Sequence, residues 1–526
     1  MKRLFNLTSV LYALAMLPFS VLGQVTTSSM NGDVVNNDNS PLLGASVIAI
    51  HEPTGTQYGT ITRENGAFNL NNIQPGGPYK LVVSYVGYRS FETTDIRLAL
   101  GEDRNINITL VGENIVLEEV IVTGITSGTF DSDRKGTETN VSQEVLQTIP
   151  SITRSINDMT KLIPQSNGSS FAGRDNRFNN YTIDGIIYNN NFGLGSNQFA
   201  GGDPLSLEAI EEVQINLAPY DVRQGGFSGA NVNAITKRGG NQFQAAGYYY
   251  YRDENFIGSK IGDNELSVSD AFTKIYGANV GGPIIKDRLF FFISIEKETL
   301  SNPGMEKVAT RPGLPPDGTL VSRVPATELD FVQEQMMSIY EYETGAYENY
   351  DFANEGLRLN ARLDFNINNK NRLMVRFNRY TAFRDVSVNG NSIRYNPSAL
   401  RYRNTNRYGI EAMNFRNSHY SIDNNVTSFV GELNTIINSK MANNFRVGYN
   451  QVEDPIRSIP GGQAFPFIEV LEFEGATPLY YMTLGNELYS VGNQLGNNIF
   501  SITDNFSYYV GKHNFTFGAN LDLSFL

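Results

Sequence analysis

Neither cysteine nor tryptophan occurs among the 526 residues, and only three histidines are present. Without cysteine there can be no disulfide framework, no thiolate metal site and no thiol nucleophile. The absence also removes a lipid anchor built on a mature N-terminal cysteine. His51, His419 and His513 fall in three unrelated segments, so neither a metal set nor a catalytic triad has a histidine pair at usable spacing. No glycine-rich phosphate loop follows a strand and opens a helix. Carboxylates are plentiful, yet none comes with a pocket or partner that would assign it acid–base work. The net charge of −13, with no long basic run, excludes a nucleic-acid footprint. The chain is therefore expected to be no enzyme and to need no cofactor.

What is present is glycine, aromatic residues and alternation. The 49 glycines and 11% aromatics do not suit a helical membrane protein. A chain alternating polar and apolar residues can still line a membrane as a barrel. At the start, Lys2 and Arg3 precede an apolar stretch from Leu4 to Val21, interrupted at Pro18 and followed by Gly23. That layout is a secretory signal over 1–23, cut before Gln24. The competing reading, a membrane anchor, suffers because Pro18 and Ser20 shorten the run below the ~20 residues of a span.

Residues 24–112 alternate short β-branched runs with turn signals, the spacing of a small β-sandwich. Strands are expected at Ser46 to Ile50, Phe68 to Leu70 and Tyr79 to Tyr85, with a tight hairpin at Asn65-Gly66 and a reversal at Pro75 to Pro78. The segment resembles the carboxypeptidase regulatory-like domain through Gly32 to Val34, Pro41 to Val47, Thr62 to Phe68, Pro75 to Tyr79 and Val86 to Tyr88. The resemblance implies a folding and docking module. Peptidase chemistry does not follow, since His51 has no second ligand at metal spacing.

Between this sandwich and a Gly/Asn-rich region, within 113–124, lies LEEVIVTG, Leu117 to Gly124. As a bare sequence it is an ordinary strand. Its place and wording resemble the TonB box, with Glu119, Val120, Ile121, Val122 and Thr123 as its core. Such a strand adds to the edge of a partner sheet; a plain linker strand is the alternative. Residues 125–240 resemble the plug domain of TonB-dependent receptors. The matching pieces are Ser155 to Pro164, Ala172 to Arg174, Tyr181 to Gly185, Leu207 to Ile215 and Gly229 to Lys237. One departure is Asp175, where the family often has glycine after arginine. Arg174, Asp175, Arg177 and Tyr188, from or near the Asn-rich stretch 165–202, are candidates for ligand contact. The arginines could equally tie the plug to a surrounding wall.

From 241 onward the strands are long. Leu357, Leu359, Ala361, Leu363, Phe365 and Ile367 alternate with Arg358, Asn360, Arg362, Asp364 and Asn366, giving one face for lipid and one for water. Turns are expected at 281–288, 368–371, 438–444 and 511–514. Long connections are expected at about 299–356, 381–424 and 451–498, on the outer side, because barrels pair short periplasmic turns with long extracellular loops. Tyrosines and phenylalanines, including Tyr248 to Tyr251 and Phe290 to Phe292, are expected to replace tryptophan in the interfacial girdle. About nine strands can be counted over 241–526, whereas the resemblance implies about 22 around a plug. An open edge in lipid leaves backbone groups unsatisfied, so the sequence is read as a partial barrel from a truncated or split chain.

The fold class expected is mainly β: an N-terminal sandwich, a small α+β plug and part of an antiparallel transmembrane barrel. The order resembles the Oar-like subgroup of TonB-dependent receptors, related to the SusC/RagA receptors. That resemblance implies an importer in a Gram-negative outer membrane, driven by the TonB–ExbB–ExbD complex. Its partners would be outer-membrane lipid, an unidentified extracellular ligand and a surface lipoprotein. A non-transporting adhesion or structural protein of the same architecture is the alternative.

Overall fold

The computed structural model describes residues 25–113, 136–149, 151, 154–189, 203–256, 260–261, 264–265, 271–390, 407–409, 412–454, 458–474, 477–490, 492, 495–511 and 513–525. The structure is mostly β.

Residues 28–110 form two four-stranded sheets. One joins Ala67–Ile73, Ser28–Asn36, Asp103–Asn105 and Ile108–Leu110; the other runs Thr56–Ile61, Ser46–His51, Gly76–Ser84, Phe91–Leu98 in spatial order. Period-two alternation sends Met30, Val34, Val47, Ala49, Phe68, Leu70, Leu81 and Val83 into one shared core. The Asn65-Gly66 turn is not a ladder hairpin. It is a corner between the sheets, because Thr56–Ile61 pairs with Ser46–His51 while Ala67–Ile73 pairs with Ser28–Asn36. Gly66 supplies the positive φ of 79° that the corner needs.

The next unit has a five-stranded sheet in the order Ile186–Ile187, Asn180–Ile183, Asn231–Thr236, Ile210–Pro219, Gly136–Ser142. Short helices at Gln143–Thr148 and Ile156–Met159 accompany it. Every residue of Asn180–Ile183 and Asn231–Thr236 is buried. Such unbroken burial is the signature of a sheet covered on both faces.

Nine long strands then follow in one antiparallel sheet whose spatial order is the chain order: Gln244–Asp253, Phe272–Ile285, Leu289–Pro303, Asp351–Asn366, Asn371–Val386, Tyr420–Asn438, Met441–Asp454, Leu495–Val510 and His513–Phe525. The strands outrun the apolar bands read from the sequence. Asp351–Asn366 has 16 residues, because its ladder to Leu289–Pro303 continues below Gly356, where alternation has faded. Three of the four turns are correspondingly tighter than expected, since strands end only at 285, 438 and 510, while the turn 367–370 keeps the expected length.

Exposure in this wall is inverted relative to a water-soluble sheet. Leu357, Leu363, Val375, Phe429, Phe445, Phe515 and Phe517 are exposed, whereas Arg358, Asn360, Arg362, Asp364, Arg376 and Arg446 are buried inside. An apolar exterior of this extent suits lipid contact, since each large side chain left in water forgoes roughly 1.5–3 kcal/mol. The same alternation corrects the girdle. Tyr249, Tyr251 and Phe291 face outward, but Phe290 and Phe292 are buried, and Tyr248 donates a 2.8 Å bond to Glu296 on the inner face. Successive residues of a strand cannot share a face.

At the opposite end from the tight turns, the long connections fold together. Val308–Thr310, Val321–Pro325, helix Ala326–Tyr340, Met413–Asn414, Ile468–Glu474 and Thr477–Leu484 surround a second core of Leu329, Met336, Met413, Phe415, Met482 and Leu484. The helix has eight good formers among its 15 residues, namely two each of Glu, Gln and Met with one Ala and one Leu. It stops where Glu341 turns left-handed at φ 51°.

Candidate functional site

The five-stranded unit sits against the inner face of the wall, and Asp184 is the polar centre of that contact. Asp184 and Gly185 form the two-residue turn between Asn180–Ile183 and Ile186–Ile187, with φ of 47° and 74°. An Asp-Gly pair is what such a left-handed hairpin turn favours. The turn aims the Asp184 carboxylate at the wall. It accepts from the Thr236 backbone N–H (2.9 Å) and hydroxyl (2.8 Å), lies 2.9 Å from Arg376 Nε and 3.7 Å from Arg362 Nη1. Arg362 in turn donates to the Thr236 carbonyl at 2.7 Å and pairs with Asp364 at 2.8 Å.

Beside it, Arg446 pairs with Glu432 at 3.0 Å and donates to the Gly185 carbonyl at 3.3 Å. A Cβ on Gly185 would stand 2.0 Å from Arg446 Nη1 on a backbone at φ 74°, so any other residue strains the turn and displaces the guanidinium. Further along, Arg358 pairs with Glu296 at 3.0 Å and donates to the Asp203 carbonyl at 2.7 Å; Asn378 and Asn450 bond the carbonyls of Pro204 and Ile187. The contact is thus mixed: beside these charged and polar groups, Phe292, Met374, Tyr380, Val426 and Val430 of the wall join the apolar cluster of the five-stranded unit. Where it meets the sandwich, a cavity of about 40 Å³ remains, lined by Asp184, Arg362, Arg372 and Glu432 on its charged side and by Ile235 and Met374 on its apolar side. That is room for about one water molecule.

The sandwich caps the tight-turn end. Arg372 donates to the Gln57 carbonyl and stacks over Tyr58 at 3.9 Å, Asn366 donates to Thr56 at 2.9 Å, and Asn241 N–H donates to the Pro53 carbonyl at 2.8 Å. Thr26 bridges Glu432 (2.6 Å) and Arg446 (2.8 Å).

Of the ligand candidates, Arg174, Asp175 and Arg177 share one exposed turn. Asp175 caps the 3-10 helix Asn176–Phe178, accepting from Arg177 N–H at 3.0 Å and Nε at 2.9 Å. Tyr188 is not with them. It is buried in the core between the plug-like sheet and the wall, with the Arg376 guanidinium 5.9 Å from its ring. Glu119, Val120, Ile121, Val122 and Thr123 lie outside the described residues, as do 1–24 and 190–202.

Asp184, Gly185, Arg376, Glu432 and Arg446 are the site residues that sequence reasoning did not single out. The signal available was the Asp-Gly turn opposite arginines on the polar face of successive strands. Of the three histidines, His51 and His419 are packed inside and His513 is exposed. Burial, then Arg238, lowers His51 to about 2, and its Nδ1 contacts the Thr54 hydroxyl at 2.7 Å. Burial, then Arg416, lowers His419 to about 3; its Nδ1 accepts from Val388 N–H, which leaves Nε2 to donate to Tyr350. Among the described residues no group of three His, Asp or Glu could hold a metal ion.

Residues 235–524 match the outer membrane beta barrel domain family, and 29–111 match the carboxypeptidase regulatory-like domain. A curated relative, the TonB-dependent transporter Oar of Myxococcus xanthus, is 25% identical over 316 residues, covering 56% of this chain and 28% of that protein. The outer membrane transporter YddB from Escherichia coli superposes with a TM-score of 0.48 at 14% identity, over 74% of this chain and 48% of that one. The siderophore receptor PirA from Acinetobacter baumannii gives 0.43 at 13% identity, over 73% and 47%. The chain spans about half the length of these solved structures and less of the curated relative.

Proposed function

Because this chain belongs to the outer membrane β-barrel family, we propose that it is the sandwich, plug and wall portion of a TonB-dependent importer of the outer membrane. The observation that carries the proposal is the seating of the 136–236 sheet. It lies inside the wall on buried polar contacts centred on Asp184, whereas the wall turns its apolar side chains outward. The polar part of that seat can be released by exchanging its groups for water, which leaves the smaller apolar patch around Tyr188 and Met374 as the rest of the hold.

In this reading the tight turns and the sandwich face the periplasm and the folded long connections face outside. Glu119 to Thr123 are the strand that the TonB–ExbB–ExbD complex captures by edge addition. Energy then arrives as a pull on the linker, and the ligand enters from the outer side, with Arg174, Asp175 and Arg177 as contacts. A leader over 1–23 brings the chain to the membrane, and no residue is assigned a bond-breaking role. The relative's description as a TonB-dependent transporter supports this reading.

Deleting Val120 to Thr123 is the test. Uptake should be abolished while ligand binding at the cell surface persists. Unchanged uptake would favour the second reading, a non-transporting surface protein of the same architecture.

A further inference from the structure

The strand Gly136–Ser142 is the edge of the plug sheet and has one ladder partner, Ile210–Pro219. It is also the first plug element after the 114–135 segment. An edge strand with a single ladder is the easiest element of a sheet to detach. Here the sandwich reaches over the joint. The turn after Phe91–Leu98 inserts Leu100, which is wholly buried, and its carbonyl accepts from both Asn140 Nδ2 (3.2 Å) and Gln214 Nε2 (2.6 Å). Asn140 and Gln214 are direct cross-strand partners, so one sandwich carbonyl bridges the rung between the edge strand and its neighbour. The Leu100 N–H donates to Glu212 at 3.0 Å, Arg97 pairs with Glu144 just beyond the edge strand, and the Val25 carbonyl accepts from Asn233 at 2.6 Å. Contacts of the sandwich to Arg238, Asn241 and Asn366 hold it to the same end of the wall.

We propose that the sandwich is a clamp on the plug's edge strand: docked, its Leu100 turn holds Gly136–Ser142 against Ile210–Pro219, and undocked, it lets that strand peel. The 114–135 segment joins the clamp to the strand it clamps. A pull on that segment therefore loads both sides of the joint and must lift Leu100 before the edge strand leaves. The pull rests on the importer reading above; the clamp does not.

Hydrogen exchange of the whole chain in detergent micelles tests the clamp without reference to uptake. Gly101→Val leaves the plug sequence intact but puts a β-branched side chain on a backbone at φ 77° and its Cβ 2.8 Å from Gln214 Nε2, which strains the turn and disturbs its bond to Gln214. Peptide 137–142 should then exchange about tenfold faster or more, with 180–183 and 231–236 unchanged. As a second measurement, Thr56→Cys with Asn366→Cys joins sandwich to wall at a 2.9 Å contact in a chain with no other cysteine. Oxidation should slow exchange in 137–142, and reductant should restore it. Unchanged exchange of 137–142 in both variants overturns the clamp. Should Gly101→Val loosen 231–236 as well, the disulfide pair decides: slower 137–142 upholds the clamp and no change overturns it.

Discussion

The Asp184 carboxylate stands 2.9 Å from Arg376 Nε, one residue from the plug and one from the wall, and both are almost fully buried. Charges removed from water in this way are tolerated only as long as each keeps its partner. The pair therefore makes seating of the plug conditional on an intact turn at 184–185.

Asp184→Ala should loosen the plug by roughly 3–5 kcal/mol, because Arg376 and Arg362 would both lose a buried counter-charge. Asp184→Asn should be milder, since it can still accept from Thr236. Protease cleavage of residues 136–236 in membrane-embedded protein reads the effect. Equal protection in wild type and Asp184→Ala would refute the role given to this carboxylate.

Gly185→Ala combines a left-handed φ with a collision against Arg446 and should lower stability by about 1–3 kcal/mol. Removing the obstructing guanidinium with Arg446→Ala should make the pair of substitutions less damaging than the sum of the singles. A thermal melt of the four proteins in one double-mutant cycle checks it; simple additivity would mean that the clash is absent.

Burial pushes the Glu212 carboxyl from its ordinary 4.5 up to about 8, against the opposing Leu100 N–H and with Glu211, Glu102 and Glu138 adding repulsion. The docked state thus holds a proton that the undocked state gives up. Its advantage is full below about pH 4.5, declines as pH rises toward about 8, and is level beyond. Melting temperature should fall through this window in the natural chain and fall less in Glu212→Gln. Parallel curves for the two would contradict the assignment.

Arg407 is fully buried among the long connections, ion-paired with Glu469 and stacked near Phe467 (4.9 Å) and Tyr480 (5.1 Å). Arg407→Ala leaves Glu469 without this cation and removes much packing, which should destabilise that unit by about 3 kcal/mol or more. Trypsin added to intact cells should then cut within 304–350, after Lys307 or Arg323, while the wall still resists heat in detergent. Uncut loops would show that the unit stands without Arg407.

The wall was legible because period two survives over whole strands: Leu357 to Ile367 gives its lipid side without any knowledge of partners. The sandwich strands were legible for the same reason, but the corner at Gly66 was not, since a glycine turn looks alike whether its strands share a sheet or face each other. Arg358, Asn360, Arg362, Asp364 and Asn366 were read as facing water, and the structure buries the first four, with Arg358 and Arg362 bonded to the plug. Polarity marks the inner face but cannot say what fills it. Asp184 was visible only within the plug-like piece Tyr181 to Gly185, because its partners lie about 180 residues away in sequence. Helix Ala326–Tyr340 had local signals, Pro325 followed by strong helix formers, yet its reason for existing is the core supplied by Met413 and Met482 from other connections.

That shared outer core bears on how such a surface can change over generations. Leu329, Phe415 and Leu484 come from three different connections and meet in one packed cluster. A new residue inside any of them must be accommodated by the other two. Variation on this face would then be confined to the exposed skin of the unit, around Phe331, Ile339 and Phe473. Wholesale exchange of the outer face would require all three connections to be replaced as a set.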